Sequence, residues 1–133
     1  MIKLVKLSLL FFVLSITAPV TGQETEIEFD KNFTHVVYFW LNEPENTDHR
    51  AAFENSLKNF LNNSLYAKTS FIGVPANTPR DVVDNSYTYS LILTFPSKEI
   101  QDKYQNEKAH LKFIAESENL WKKVQVYDSI GIE

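Results

Sequence analysis

Residues 33–41 read Phe33-Thr34-His35-Val36-Val37-Tyr38-Phe39-Trp40-Leu41, a run dense in β-branched and aromatic side chains with a polar, proline-containing cluster after it. That composition predicts a strand. Phe33, His35, Val37, Phe39 and Leu41 fall on one face, and Val36, Tyr38 and Trp40 on the other. A strand that is apolar on both faces needs cover on both sides.

Working outward, Thr47 to Leu65 places Phe53, Leu57, Phe60 and Leu61 on one helical stripe, with Thr47 or Asp48 as the expected cap and Asn62-Asn63-Ser64 as the stop. Ala67 to Val74 reads as a second strand, followed by a long polar connection from Pro75 to Ser86. Tyr87 to Phe95 alternates strictly and reads as a third. Pro96-Ser97 opens a helical stretch to about Leu120, with Ile100, Tyr104, Leu111 and Ile114 near one face, and Trp121 to Ile130 supplies a fourth strand. The order is βαββαβ, an α+β chain of the ferredoxin-like kind in which four antiparallel strands form one sheet and the helices cover a single face. The second face of the 33–41 strand then needs another cover, and a homodimer with two sheets facing each other supplies one.

The chain has 133 residues, 44% hydrophobic and 23% charged, with only 3 Gly and 5 Pro, which fits one compact domain. It has no cysteine, so disulfides, thiolate metal sites, cysteine nucleophiles and lipoprotein anchoring are excluded. Lys3 and Lys6 precede an apolar run from Leu7 that ends at Val20, and Val20-Thr21-Gly22 offers the residues a signal peptidase reads. The run of about 14 residues falls short of the ~20 needed to span a bilayer. Residues 1–22 are therefore expected to be a signal peptide cleaved after Gly22, giving a secreted or periplasmic protein with no stable membrane anchor. Residues 23–32 are expected to form a linker, and 33–133 the domain. Removing 22 residues, which include Lys3 and Lys6 but no acid, leaves 111 residues with 11 basic side chains against 17 acidic, a net charge of −6. So acidic a chain, without a basic run, lacks the electrostatic footprint of a nucleic-acid binder.

Three side chains stand out. His35 lies among apolar neighbours, where a neutral imidazole needs a partner for its proton, and a satisfied structural histidine is its plainest reading. Tyr104 and His110 stand six apart, out of step with a regular helix, and a break near Asn106 would bring them together. Tyr104 alone reads as an amphipathic core residue. His49, between Asp48 and Arg50, is expected to be exposed and has no assigned role, and Lys122 and Lys123 read as a solvated strand edge. The three histidines have no metal-binding spacing. Asn32-Phe33-Thr34 and Asn62-Asn63-Ser64 match the glycosylation pattern, which has meaning only in a eukaryotic source.

Thr34-His35-Val36-Val37-Tyr38-Phe39, Ser70-Phe71-Ile72-Gly73, the Tyr89-to-Phe95 strand, Tyr104-Gln105-Asn106-Glu107-Lys108-Ala109-His110 and Val124-Gln125-Val126-Tyr127-Asp128 together resemble the stress-responsive A/B barrel domain family. The resemblance implies a dimeric α+β barrel over about residues 33–130. By likeness to the plant polyketide cyclase of that family that makes olivetolic acid, it also implies His110 as general base, with Tyr104 and His35 completing a catalytic set. The family's helix motif usually reads His-Pro-x-His, whereas Glu107-Lys108-Ala109-His110 lacks the first histidine and the proline. The chemistry so implied is an aldol-type closure needing no cofactor and no metal. The contrasting expectation is a binding module that holds a small apolar or polyketide-like molecule in the same cleft.

Overall fold

The computed structural model describes residues 28–132. The expected signal segment 1–22, and residues 23–27 of the expected linker, lie outside them. The elements are β1 (Phe33–Leu41), α1 (Thr47–Asn63), β2 (Thr69–Gly73), β3 (Tyr89–Phe95), α2 (Lys98–Gln105), α3 (Lys108–Ser117) and β4 (Trp121–Ile130). All neighbouring strands run antiparallel in the order β2-β3-β1-β4, the ferredoxin-like arrangement.

Local chemistry explains where the elements begin and end. The cap of α1 is Asn46, whose side chain accepts from the N–H groups of Asp48 and His49, so the helix is capped one residue ahead of the expected Thr47 or Asp48. It ends at Asn63 rather than Leu65, because the Ser64 hydroxyl accepts from the N–H groups of Tyr66 and Ala67. The same turn delays β2 to Thr69, against the expected start at Ala67. The helical stretch expected from Ser97 to about Leu120 is two helices, parted at Asn106 and Glu107, where a break would bring Tyr104 and His110 together. Residues 30–32, expected as linker, are tied to the sheet: Asp30 N–H donates to Thr94 Oγ1 at 2.9 Å, and Gly131 N–H donates to the Asn32 carbonyl at 2.9 Å.

The core lies between the sheet and the helices. Phe33, Val37, Phe39 and Leu41 of β1 meet Tyr89, Leu91, Leu93 and Phe95 of β3, and Phe53, Leu57 and Phe60 of α1 pack on them with Tyr104 and Phe113. At the centre the Phe53 ring stacks on Tyr89 at 5.0 Å and meets Phe39 edge-on at 5.0 Å. The Tyr89 hydroxyl donates to Glu54 Oε1 at 2.6 Å, and that bond holds the Glu54 carboxyl below its usual range.

The opposite face of β3 differs from a plain polar face. Ser90 and Thr94 are buried there, as is Thr88 just ahead of the strand, and the Thr88 hydroxyl accepts from Leu41 N–H while Thr94 bonds Thr69. The rest of that sheet face mixes polar residues, Thr34 of β1 and Lys123, Gln125 and Ser129 of β4, with an apolar row. The β1 residues Val36, Tyr38 and Trp40 are half-buried, whereas Phe71 of β2 is 52% exposed and Tyr127 of β4 58%.

Candidate functional site

His35 points from β1 to the helix side of the sheet and is 3% exposed. Register places it opposite Leu93 on β3 and Asp128 on β4. A carboxylate only accepts, so His35 Nδ1–H donates to Asp128 Oδ1, at 2.6 Å. That bond leaves Nε2 for other partners.

The break between α2 and α3 builds the other half of the site. The backbone folds back after Gln105 through Asn106 (φ −103°, ψ 0°) and Glu107 (φ −71°, ψ 149°), bringing the Tyr104 and His110 ring centroids to 4.8 Å. The Gln105 carbonyl, one of the unpaired carbonyls at the end of α2, accepts from His110 Nδ1–H at 3.0 Å. His110 is thereby held with a lone pair on Nε2. Burial pushes its pKa below the ordinary histidine value, against the raising effect of the Gln105 bond, and His35 nearby lowers it further. The imidazole is neutral at pH 7.

Tyr104 sits between the two histidines, its ring 5.6 Å from that of His35 and edge-on to it. It is 1% exposed, and burial, followed by the charges of Glu107 and Asp128, raises its phenol well above the usual tyrosine value. It stays protonated and is a hydrogen-bond donor at any physiological pH.

All three rings line one cavity of about 320 Å³ between the sheet and the α2–α3 pair. Gln105 is the other polar residue in its wall, and the remainder is apolar, including Phe39, Phe113, Trp121, Val124 and Val126. Among the described residues no lysine, arginine, aspartate or glutamate lines it. The site can hold a small uncharged molecule with a base on one side and donors beside it. Among the described residues no group of three or more histidine, aspartate or glutamate side chains is placed to hold a metal ion.

Asp128 and Gln105 are site residues that reading the elements one by one misses. Asp128 is 93 positions from His35, and only the β1–β4 register pairs them. His49 lies outside the cavity, half-buried, with Nδ1 3.8 Å from Glu43 Oε1. Lys122 is exposed, while Lys123 lays its ammonium over the Trp40 ring at 4.2 Å.

Comparison with known proteins bears on the fold that carries this site. The Arabidopsis thaliana protein At3g17210 shares 21% identity and superposes with a TM-score of 0.63, over 76% of this chain and 96% of its own. A hydroxynitrile lyase from Passiflora edulis gives a TM-score of 0.66 at 16% identity, over 77% and 95% of the two chains. A dimeric ferredoxin-like protein of unknown function from Thermobifida fusca gives 0.62 at 12%, over 78% and 95%. A search of the curated proteins returns no match. At these identities the superpositions establish the fold, and the sequence itself matches the stress responsive A/B barrel domain over residues 33–130, spanning every strand and helix described above. The chain belongs to the stress responsive A/B barrel domain family.

Proposed function

We propose that the cavity takes a small, uncharged, largely apolar carbonyl compound and moves a proton on it without a cofactor, in a lyase or cyclase type of reaction. The observation that carries this reading is the convergence of His110, Tyr104 and the Asp128-bonded His35 on one apolar cavity. His110 Nε2 takes a proton from the carbon next to the carbonyl, and the Tyr104 hydroxyl donates to the oxygen as it gains enolate charge. The enolate carbon bonds to a second carbonyl carbon of the same molecule, and the proton held by His110 passes to the new alkoxide. Run backwards, the same steps cleave the bond. His35, with Asp128 behind it, orients the substrate oxygen. That a protein of this fold is a hydroxynitrile lyase supports a lyase-type reading at the level of the fold.

The second reading is a binding module that performs no chemistry, favoured by how much of the wall is apolar. Deuterium exchange at the carbon between the carbonyls of an apolar 1,3-diketone, followed by NMR, separates the two. Enzyme-dependent exchange above the buffer rate is expected. Saturable binding of the same compound without exchange would sink the catalytic reading and leave the binding module.

The assembly we propose is a homodimer closed through the outer sheet face, and the destination is outside the cytoplasm. Tyr38, Phe71 and Tyr127 on that face would otherwise form an exposed apolar patch, and solved relatives from Bacteroides fragilis and Thermobifida fusca are described as dimeric. Light scattering at micromolar concentration is expected to give twice the chain mass, and intact-mass measurement of protein from the native host a chain beginning at Gln23. A stable monomer, or a full-length chain in the cytoplasm, would overturn the respective statement.

A further inference from the structure

The fold-back between α2 and α3 has no proline to enforce it, since residues 98–117 contain none. A helix running through Asn106 and Glu107 would separate Tyr104 and His110, so something else must hold the chain open. Glu107 is 8% exposed, and its carboxylate is bonded at both oxygens to the C-terminus of α1. The Ser64 hydroxyl donates to Oε1, and Leu65 N–H donates to Oε2 at 2.8 Å. Both are charge-assisted bonds in a nearly dry setting, where they are strong and expensive to leave unmade. The Glu107 backbone lies at φ −71°, ψ 149°, the extended conformation a residue adopts ahead of a proline. Its N–H donates to the Tyr104 carbonyl and its carbonyl accepts from Leu111 N–H, so the same residue ends one helix and starts the next. Its side chain makes no cap bond to α3, being occupied with α1.

We infer that Glu107 is the positioning residue of the site: its carboxylate, anchored by Ser64 and Leu65 at the end of α1, holds the break that sets His110 against Tyr104. This rests on the reading of His110 as the base only for its bearing on catalysis. The geometric statement stands apart from it.

The test uses the full chain and the NMR resonances of the His110 ring, which lies 4.8 Å from the Tyr104 ring centroid and should be shifted by its ring current. Glu107→Ala should move those resonances most of the way to the position of an unconstrained histidine, with the strand resonances unchanged. Adding Lys108→Pro should bring them back. Lys108 is the first residue of α3, where the N–H has no partner within the helix and a proline's fixed φ suits the turn. Wild-type shifts in Glu107→Ala, or failure of the proline to restore them, would overturn the inference. If Glu107→Ala does not fold, Glu107→Gln keeps an acceptor for Leu65 N–H, and a partial displacement is expected. Wild-type shifts in that variant would again overturn it. Absence of any turnover by the wild-type protein would count against the proposed chemistry and leave this result unchanged.

Discussion

Replacing His110 by alanine is expected to lower catalysed proton exchange by on the order of 10²–10⁴-fold, the usual worth of a positioned general base. The cavity keeps its apolar wall in this variant, so binding of the diketone should change far less than turnover. Tyr104→Phe retains the ring that packs against Phe60 and Phe95 and loses only the donor, for which a fall of about 10-fold or more is expected. The pH profile should carry the same signature. Burial lowers the His110 pKa, so the acid limb of activity should lie below the ordinary histidine value of about 6.5. The sign for stability follows: a histidine held neutral in the fold contributes fully above its unfolded value, and that contribution is lost as the pH falls through the folded one. A His110→Ala protein that keeps more than about a tenth of the activity would remove His110 from the mechanism.

Phe53→Ala should be the most damaging single change to the fold, costing about 3–5 kcal/mol as a buried phenylalanine truncation. Phe53 is fully buried, and its ring touches Phe39, Tyr89, Phe113 and Trp121. For a domain of this size each kcal/mol lowers Tm by roughly 4–8 °C, so a drop of at least about 12 °C is expected in calorimetry. Phe39, Phe113 and Trp121 also line the cavity, and ligand affinity should fall with stability. A loss under about 1 kcal/mol would show that the aromatic cluster is not the centre of the core.

The architecture was legible because its strongest signals are local. Residues 33–41 are β-rich and apolar on both sides, and the six-residue spacing of Tyr104 and His110 does not stack side chains on a regular helix, so a break near Asn106 is what would bring them together. The rest depends on which polar side chain bonds which backbone or side-chain group, whether the partner is near in the chain or far from it. The start of β2 is set by a Ser64 hydroxyl that turns the backbone at Tyr66 and Ala67. The partner of His35 is decided by β-sheet register, in which a slip of one residue would put Asp128 on the opposite face. Likewise, Glu107 has a backbone conformation suited to precede proline without a proline beside it, and only the contact with α1 explains that. Side chains were readable as candidates, while the bonds that orient them were not.

The uncharged wall of the cavity also bears on how molecules leave. A product released there as a carboxylic acid would ionise with no lysine or arginine in the wall, among the described residues, to replace the water its carboxylate needs. The cost of stranding a carboxylate in such surroundings is large. Ionisation to a carboxylate would therefore favour release, and acidic products should inhibit weakly even when they closely resemble the neutral compound that entered.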